Sequence, residues 1–153
     1  MSSIPETKSV GSSAGVVVGA PRRWLGLEAA TLLTASLIAY SVTHEPWWIV
    51  PVALLVPDAF MVGYLNGPTL GARVYNLAHS TPLPALMAGL GWWQATPLVA
   101  AIGLIWLAHI GMDRLLGFGL KYSDRFQHTH LGDSGGTRRT VGATHTDDES
   151  RAR

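Results

Sequence analysis

The chain has no cysteine among its 153 residues. Disulfides, thiolate metal sites and iron–sulfur ligation are therefore excluded. Net charge is also nearly absent, with 11 Lys and Arg against 10 Asp and Glu, so no electrostatic argument favours a nucleic-acid partner. The phosphate-binding glycine loop ending in Lys-Ser or Lys-Thr is missing. Gly117-Phe118-Gly119 lacks the later glycine, the strand and the acidic partner of a dinucleotide fingerprint. Ser80 beside His79 has no nucleophile elbow around it. Most telling is the scarcity of charge between Trp24 and Phe118.

What fills that interval is apolar. Four runs approach the ~20 residues that a helix needs to cross a bilayer: Trp24 to Thr43, Trp47 to Leu65, about Leu70 to Leu90, and Pro97 to about Gly117. Pro51 and Pro57 interrupt the second run, Asn66-Gly67-Pro68 signals a turn after it, and Pro97 suits the first turn of the fourth. So many apolar residues with so few charges argue against a soluble helical domain. The expected fold is an all-α membrane protein with four transmembrane helices in an antiparallel bundle. Residues 1–21 and 133–153 are expected to be disordered tails, with His145 a solvated bystander, and residues 22–132 to form the membrane domain and a His-containing loop.

Orientation follows from basic residues near the span ends. Arg22, Arg23, Arg73, Arg114, Lys121 and Arg125 mark one side, while the loops Thr43 to Pro46 and Gly91 to Thr96 hold no Lys or Arg. Trp47, Trp48, Trp92 and Trp93 fall at the opposite ends, as an aromatic belt would. Both termini are expected in the cytoplasm, with the bilayer of a bacterial inner membrane as the main partner.

Counting along the helices at ~1.5 Å per residue places every ionisable group of the spans in the inner half. Glu28 lies just inside the first helix, Asp58 about seven residues from the end of the second, and His79 about nine residues into the third; His109 is about eight residues deep in the fourth and Asp113 about four. Such groups are costly in a membrane and point to a site. His109 and Asp113 share a helix face at i, i+4, and His128-x-His130 would share a face of an extended segment. Without thiolates, imidazole and carboxylate are the ordinary ligands of a divalent Zn, Mn or Fe. Each residue also has a plainer role: Glu28 could complement its helix dipole, Asp58 could cap the half-helix after Pro57, His79 could bond a backbone carbonyl or Asn76, and Arg73 and Arg114 could anchor to headgroups.

Pro57-Asp58, Gly63-Tyr64, Gly71-Ala72, Tyr75-Asn76 and His79 carry a resemblance, continued by Trp106-Leu-Ala-His-Ile-Gly-x-Asp-Arg, Gly117-x-Gly-Leu-Lys-Tyr122 and Phe126-x-x-Thr129-His130-Leu-Gly132. Over roughly Trp24 to Gly132 the chain resembles the small bacterial membrane-protein family catalogued as domain of unknown function 4260. The resemblance implies a four-helix inner-membrane protein and brings no activity with it. Its motif positions are Glu28, Asp58, Asn76, His79, His109, Asp113, Arg114, Lys121 and His130, with His128 less firmly part of the pattern.

Three functional readings follow. In the first, a divalent metal held by His79, His109, Asp113 and His130 hydrolyses a membrane-associated ester. Asp58 or Glu28 then serves as base, and Asn76, Arg114 and Lys121 hold the substrate. The second is a non-enzymatic module that ligates haem through His79 and His109 or relays ions. The third is a polar network that fixes helix register for a partner protein.

Overall fold

The computed structural model describes residues 16–124 and 126–133, so Arg125, His145 and most of both expected tails lie outside the described residues. The protein is mostly helical. Helix α1 spans Ala20–Ser41, α2 Ile49–Ala53, α3 Pro68–Ala78, α4 Pro82–Trp93 and α5 Pro97–Leu116; a 3₁₀ segment covers Pro57–Asn66, and strands β1 (His128–Thr129) and β2 (Gly132–Asp133) pair antiparallel. Three helical stretches, Ala20–Ser41, Ile49–Asn66 and Pro97–Leu116, are long and apolar enough to cross a membrane.

Proline sets where these elements begin and break. α1, α3, α4 and α5 each carry proline in the first two positions, where the missing N–H costs nothing. In the second span Pro57 cannot donate to the carbonyl of Ala53. Val56 N–H takes it instead at 3.2 Å, and the chain continues as a 3₁₀ helix whose first turn holds Asp58.

The third run differs from the single helix expected over Leu70 to Leu90. It forms α3 and α4, separated at His79, Ser80 and Thr81. Pro82 is the cause, because it cannot donate to the carbonyl of Ala78. The indole N–H of Trp106 on α5 does so instead, at 2.6 Å. Non-helical backbone at membrane depth is tolerated where protein covers it in this way.

α5 is the axis of the fold, packing most extensively against α1 and α4, while α3 packs on the 3₁₀ segment. Its glycines allow the close approach. A Cβ at Gly111 would come within 2.7 Å of Leu33 N and 2.9 Å of Ala29 O, and one at Gly103 within 2.9 Å of Pro84 O. Tyr40, Ala101 and Ile105 form the buried apolar centre, so α1 and α5 run antiparallel with Tyr40 near Ala101 and Ala29 near Gly111. α5 ends at Gly117 in the left-handed conformation (φ 93°), with Gly117 N–H donating to Arg114 O at 3.2 Å and Phe118 N–H to Asp113 O at 2.8 Å. That is a Schellman stop.

The loops carrying Trp47 and Trp48 and Trp92 and Trp93 meet at one end of the bundle, with all four indoles exposed. At the other end the segment after α5 bends back, as its glycines predict. Lys121 bridges to Thr129, Val17 N–H donates to His130 O at 2.9 Å, and the Arg22 guanidinium donates to Leu131 O at 2.5 Å.

Candidate metal centre

Asp58, His79, His109 and Asp113 converge. One potential ligand atom from each falls within 4.8 Å of all the others. Asp58 comes from the start of the 3₁₀ segment, His79 from the break between α3 and α4, and His109 and Asp113 from one face of α5. The two irregular backbones thus deliver two of the four groups, and the i, i+4 spacing of α5 delivers the other two.

The distances are compatible with a shared metal ion. His79 Nε2 lies 3.5 Å from Asp58 Oδ1 and 3.6 Å from Asp113 Oδ2; His109 Nε2 lies 3.7 Å and 3.6 Å from the same atoms. The two Nε2 atoms are 3.2 Å apart. The four N···O separations exceed the ~2.7–3.2 Å of N–H···O hydrogen bonds. Three of them fall within, and the fourth is 0.1 Å above, the edges of about 3.3–3.6 Å of a tetrahedron whose ligands stand ~2.0–2.2 Å from its centre. The remaining edge, between the carboxylates, is no longer than 4.8 Å.

The tautomer of His79 agrees. His79 Nδ1 lies 3.0 Å from the carbonyl of Tyr75; a carbonyl only accepts, so Nδ1 carries the proton and the Nε2 lone pair of the neutral ring faces the cluster. Among the described residues His109 Nδ1 has no hydrogen-bond partner, and Nε2 is that ring's polar contact to the cluster. His79 and His109 are 4% and 1% exposed, Asp113 13% and Asp58 40%. The imidazoles are thus sealed in protein while Asp58 is open on one side. Two adjacent carboxylates, one of them mostly buried, favour a compensating positive charge, which a divalent cation in this group would supply.

Tyr75 orients the cluster, and the sequence reading did not include it among the site residues. Its ring stacks on His79 with centroids 3.7 Å apart at 13°, and its hydroxyl lies 3.4 Å from Asp113 Oδ2. The available signal was its i, i+4 spacing from His79. Trp106 was likewise not singled out, although it lies one turn before His109.

The other expected residues lie elsewhere. His130, expected as a ligand, accepts from Leu120 N–H through Nδ1 at 2.9 Å and is not one of the four. Burial pushes its pKa down, and Arg114 reinforces the shift. His128 pairs with Asp124 at 2.8 Å on the surface side of the hairpin. Glu28, expected as a base, stands outside the four and acts electrostatically on Arg114.

Asn76, expected to touch substrate, clamps the backbone of Lys121 instead, donating to its carbonyl at 2.8 Å and accepting from its N–H at 2.7 Å. The Lys121 ammonium donates to Phe126 O at 3.0 Å and lies 3.3 Å from the Phe126 ring centroid and 4.7 Å from that of Tyr75. Burial lowers its pKa, opposed by Asp113 and Asp58. Arg114 does border the cluster: with His79, Asp113 and Tyr75 it lines a pocket of about 10 Å³, room for about one water.

A helical bundle with a buried His₂Asp₂ group at interrupted helices defines the class: an apolar helical protein whose polar site could hold a metal ion. The model of the family described as "Domain of unknown function (DUF4260)" matches residues 22–133, and the chain belongs to that family. Neither a curated protein nor a solved structure matches it.

Proposed function

We propose that the protein is a membrane-embedded divalent-metal centre, held by Asp58, His79, His109 and Asp113, that hydrolyses a membrane-associated ester. The observation that carries this reading is the set of N···O separations of 3.5–3.7 Å among two imidazoles and two carboxylates. These are too long for hydrogen bonds and suited to a shared ion. Zn, Mn and Fe all accept this donor set.

A divalent ion there would activate water and polarise a phosphoryl or carboxyl-ester oxygen. The protein's own groups do the rest. Tyr75 holds the His79 ring and the Asp113 carboxylate in place, Arg114 faces the water-sized pocket with a charge suited to an anionic ester, and the sealed imidazoles exclude bulk solvent. In the net reaction the oxygen of water bonds to phosphorus or to the acyl carbon, the ester oxygen leaves, and it takes up a proton as the alcohol. Asp58, the carboxylate further open to solvent, would leave the ion to open the position that water takes and would accept that water's proton. Lys and Arg near the Asp58 side of the bundle favour a cytoplasm-facing site, with both termini on that side of a bacterial inner membrane.

Ion handling is the second reading, favoured by one observation: Asp58 and His79 both sit where proline interrupts a helix. Discontinuous helices at depth are a common setting for coupling-ion sites. The two readings separate on incubating metal-loaded protein in vesicles made from bacterial lipid extract. Hydrolysis releases phosphate or fatty acid and is lost in Asp113→Asn; ion handling gives flux without release.

A further inference from the structure

Between the second span and α5 lies an apolar groove of about 410 Å³, walled by Trp48, Val52, Val56 and Phe60 on one side and Ile102 and Trp106 on the other. Both walls belong to stretches long and apolar enough to cross a membrane. Trp48, Val52 and Val56 are exposed, so the groove opens outward at bilayer depth. Its α5 wall, from Leu98 to Trp106, is about 12 Å long.

One end of this groove abuts the metal centre through three connections. Pro57 lines it and precedes Asp58 in the chain. The Trp106 indole, stacked against Phe60 at 6.4 Å, donates to Ala78 O, immediately before His79. Trp106 also lies one helical turn before His109.

We propose that this groove holds the hydrocarbon tail of the ester-bearing lipid, with the tail directed toward Trp48 and the ester at the Asp58 end. The inference rests on the hydrolytic reading and adds the substrate class, an ester of a long-chain membrane lipid. A hydrocarbon chain is the occupant because the described lining is apolar and aromatic throughout, the opening faces the lipid phase, and Pro57 and Trp106 at its inner end adjoin residues of the cluster.

The test uses full-length protein in nanodiscs of phosphatidylcholine and phosphatidylglycerol with a trace of phosphatidylglycerol bearing a mid-chain diazirine. After illumination, labelled peptides are mapped and metal content is measured on the same samples. The expected result is labelling concentrated on residues 48–60 and 98–106 over the other lipid-facing surfaces. Ile102→Trp and the outward-facing Val52→Trp should each abolish it, with metal content and the background labelling of α1 unchanged. Labelling spread evenly over all apolar faces, or groove labelling indifferent to both tryptophans, would overturn the proposal. Groove labelling in a wild-type protein that binds no metal would instead sink the hydrolytic reading while leaving a tail-binding groove.

Discussion

The Trp106 indole donates to the carbonyl of Ala78 at 2.6 Å, the acceptor that Pro82 leaves without its helical partner. One bond thus joins α5 to the broken third run beside His79. Trp106→Phe keeps an aromatic ring, though a smaller one, and removes the donor, leaving a buried carbonyl unsatisfied at a cost of about 1–3 kcal/mol. Thermal unfolding in detergent should show that loss, and metal affinity should fall with it because His79 is no longer held in register.

Tyr75→Phe removes a hydroxyl that reaches Asp113 while keeping the stack on His79. Outer-sphere partners of metal ligands typically contribute about 10–100-fold in affinity. A weakening of that order, measured by competition with a chelator, is expected with little change in thermal stability. An unchanged affinity would remove Tyr75 from the site.

Much of this was legible in the sequence, and the illegible parts have identifiable causes. His109 and Asp113 declared themselves by spacing, since an i, i+4 pair in a helix shares a face whatever surrounds it. Asp58 and His79 were legible as inner-half polar groups, but their meeting with α5 depends on how two proline-interrupted runs bend, which periodicity does not encode. The break at Pro82 was readable in principle; an apolar run of the right length masked it. His130 entered through the family pattern; its ring accepts from the Leu120 amide and it stands outside the group of four, a placement that depends on how the hairpin folds back and that spacing alone does not encode.

The hairpin gives a separate prediction. Asn76→Leu deletes both bonds to the Lys121 backbone and should destabilise the segment after α5 by about 1–3 kcal/mol. Faster amide exchange across residues 119–132 would report it. Stoichiometric metal should remain, since Asn76 touches none of the four ligands' polar atoms through these bonds.

His130 should add a pH dependence. Burial lowers its pKa in the folded protein below the ~6.5 of an exposed histidine. The unfolded chain therefore binds the proton more readily, and stability rises with pH where it does so. The contribution is complete above about pH 6.5 and is lost as pH falls toward the folded value. Subtracting the pH profile of His130→Gln from that of the wild type should isolate a slope of this sign; a difference that grows more stable on acidification would contradict the assignment.

Gly111 lies against the α1 backbone, where a Cβ would come within 2.7 Å of Leu33 N. Gly111→Val should force α1 and α5 apart at a cost of about 1–3 kcal/mol or more. Because the same helix carries His109 and Asp113, a drop in both melting temperature and metal retention is expected.

Metal stoichiometry decides the central claim most directly. Protein purified in mild detergent and supplied in turn with Zn, Mn or Fe should retain one divalent ion per chain, and His109→Ala or Asp113→Asn should lose it while keeping the helical circular dichroism of the wild type. A folded wild type that retains no stoichiometric metal, or variants that retain it equally, would contradict the account.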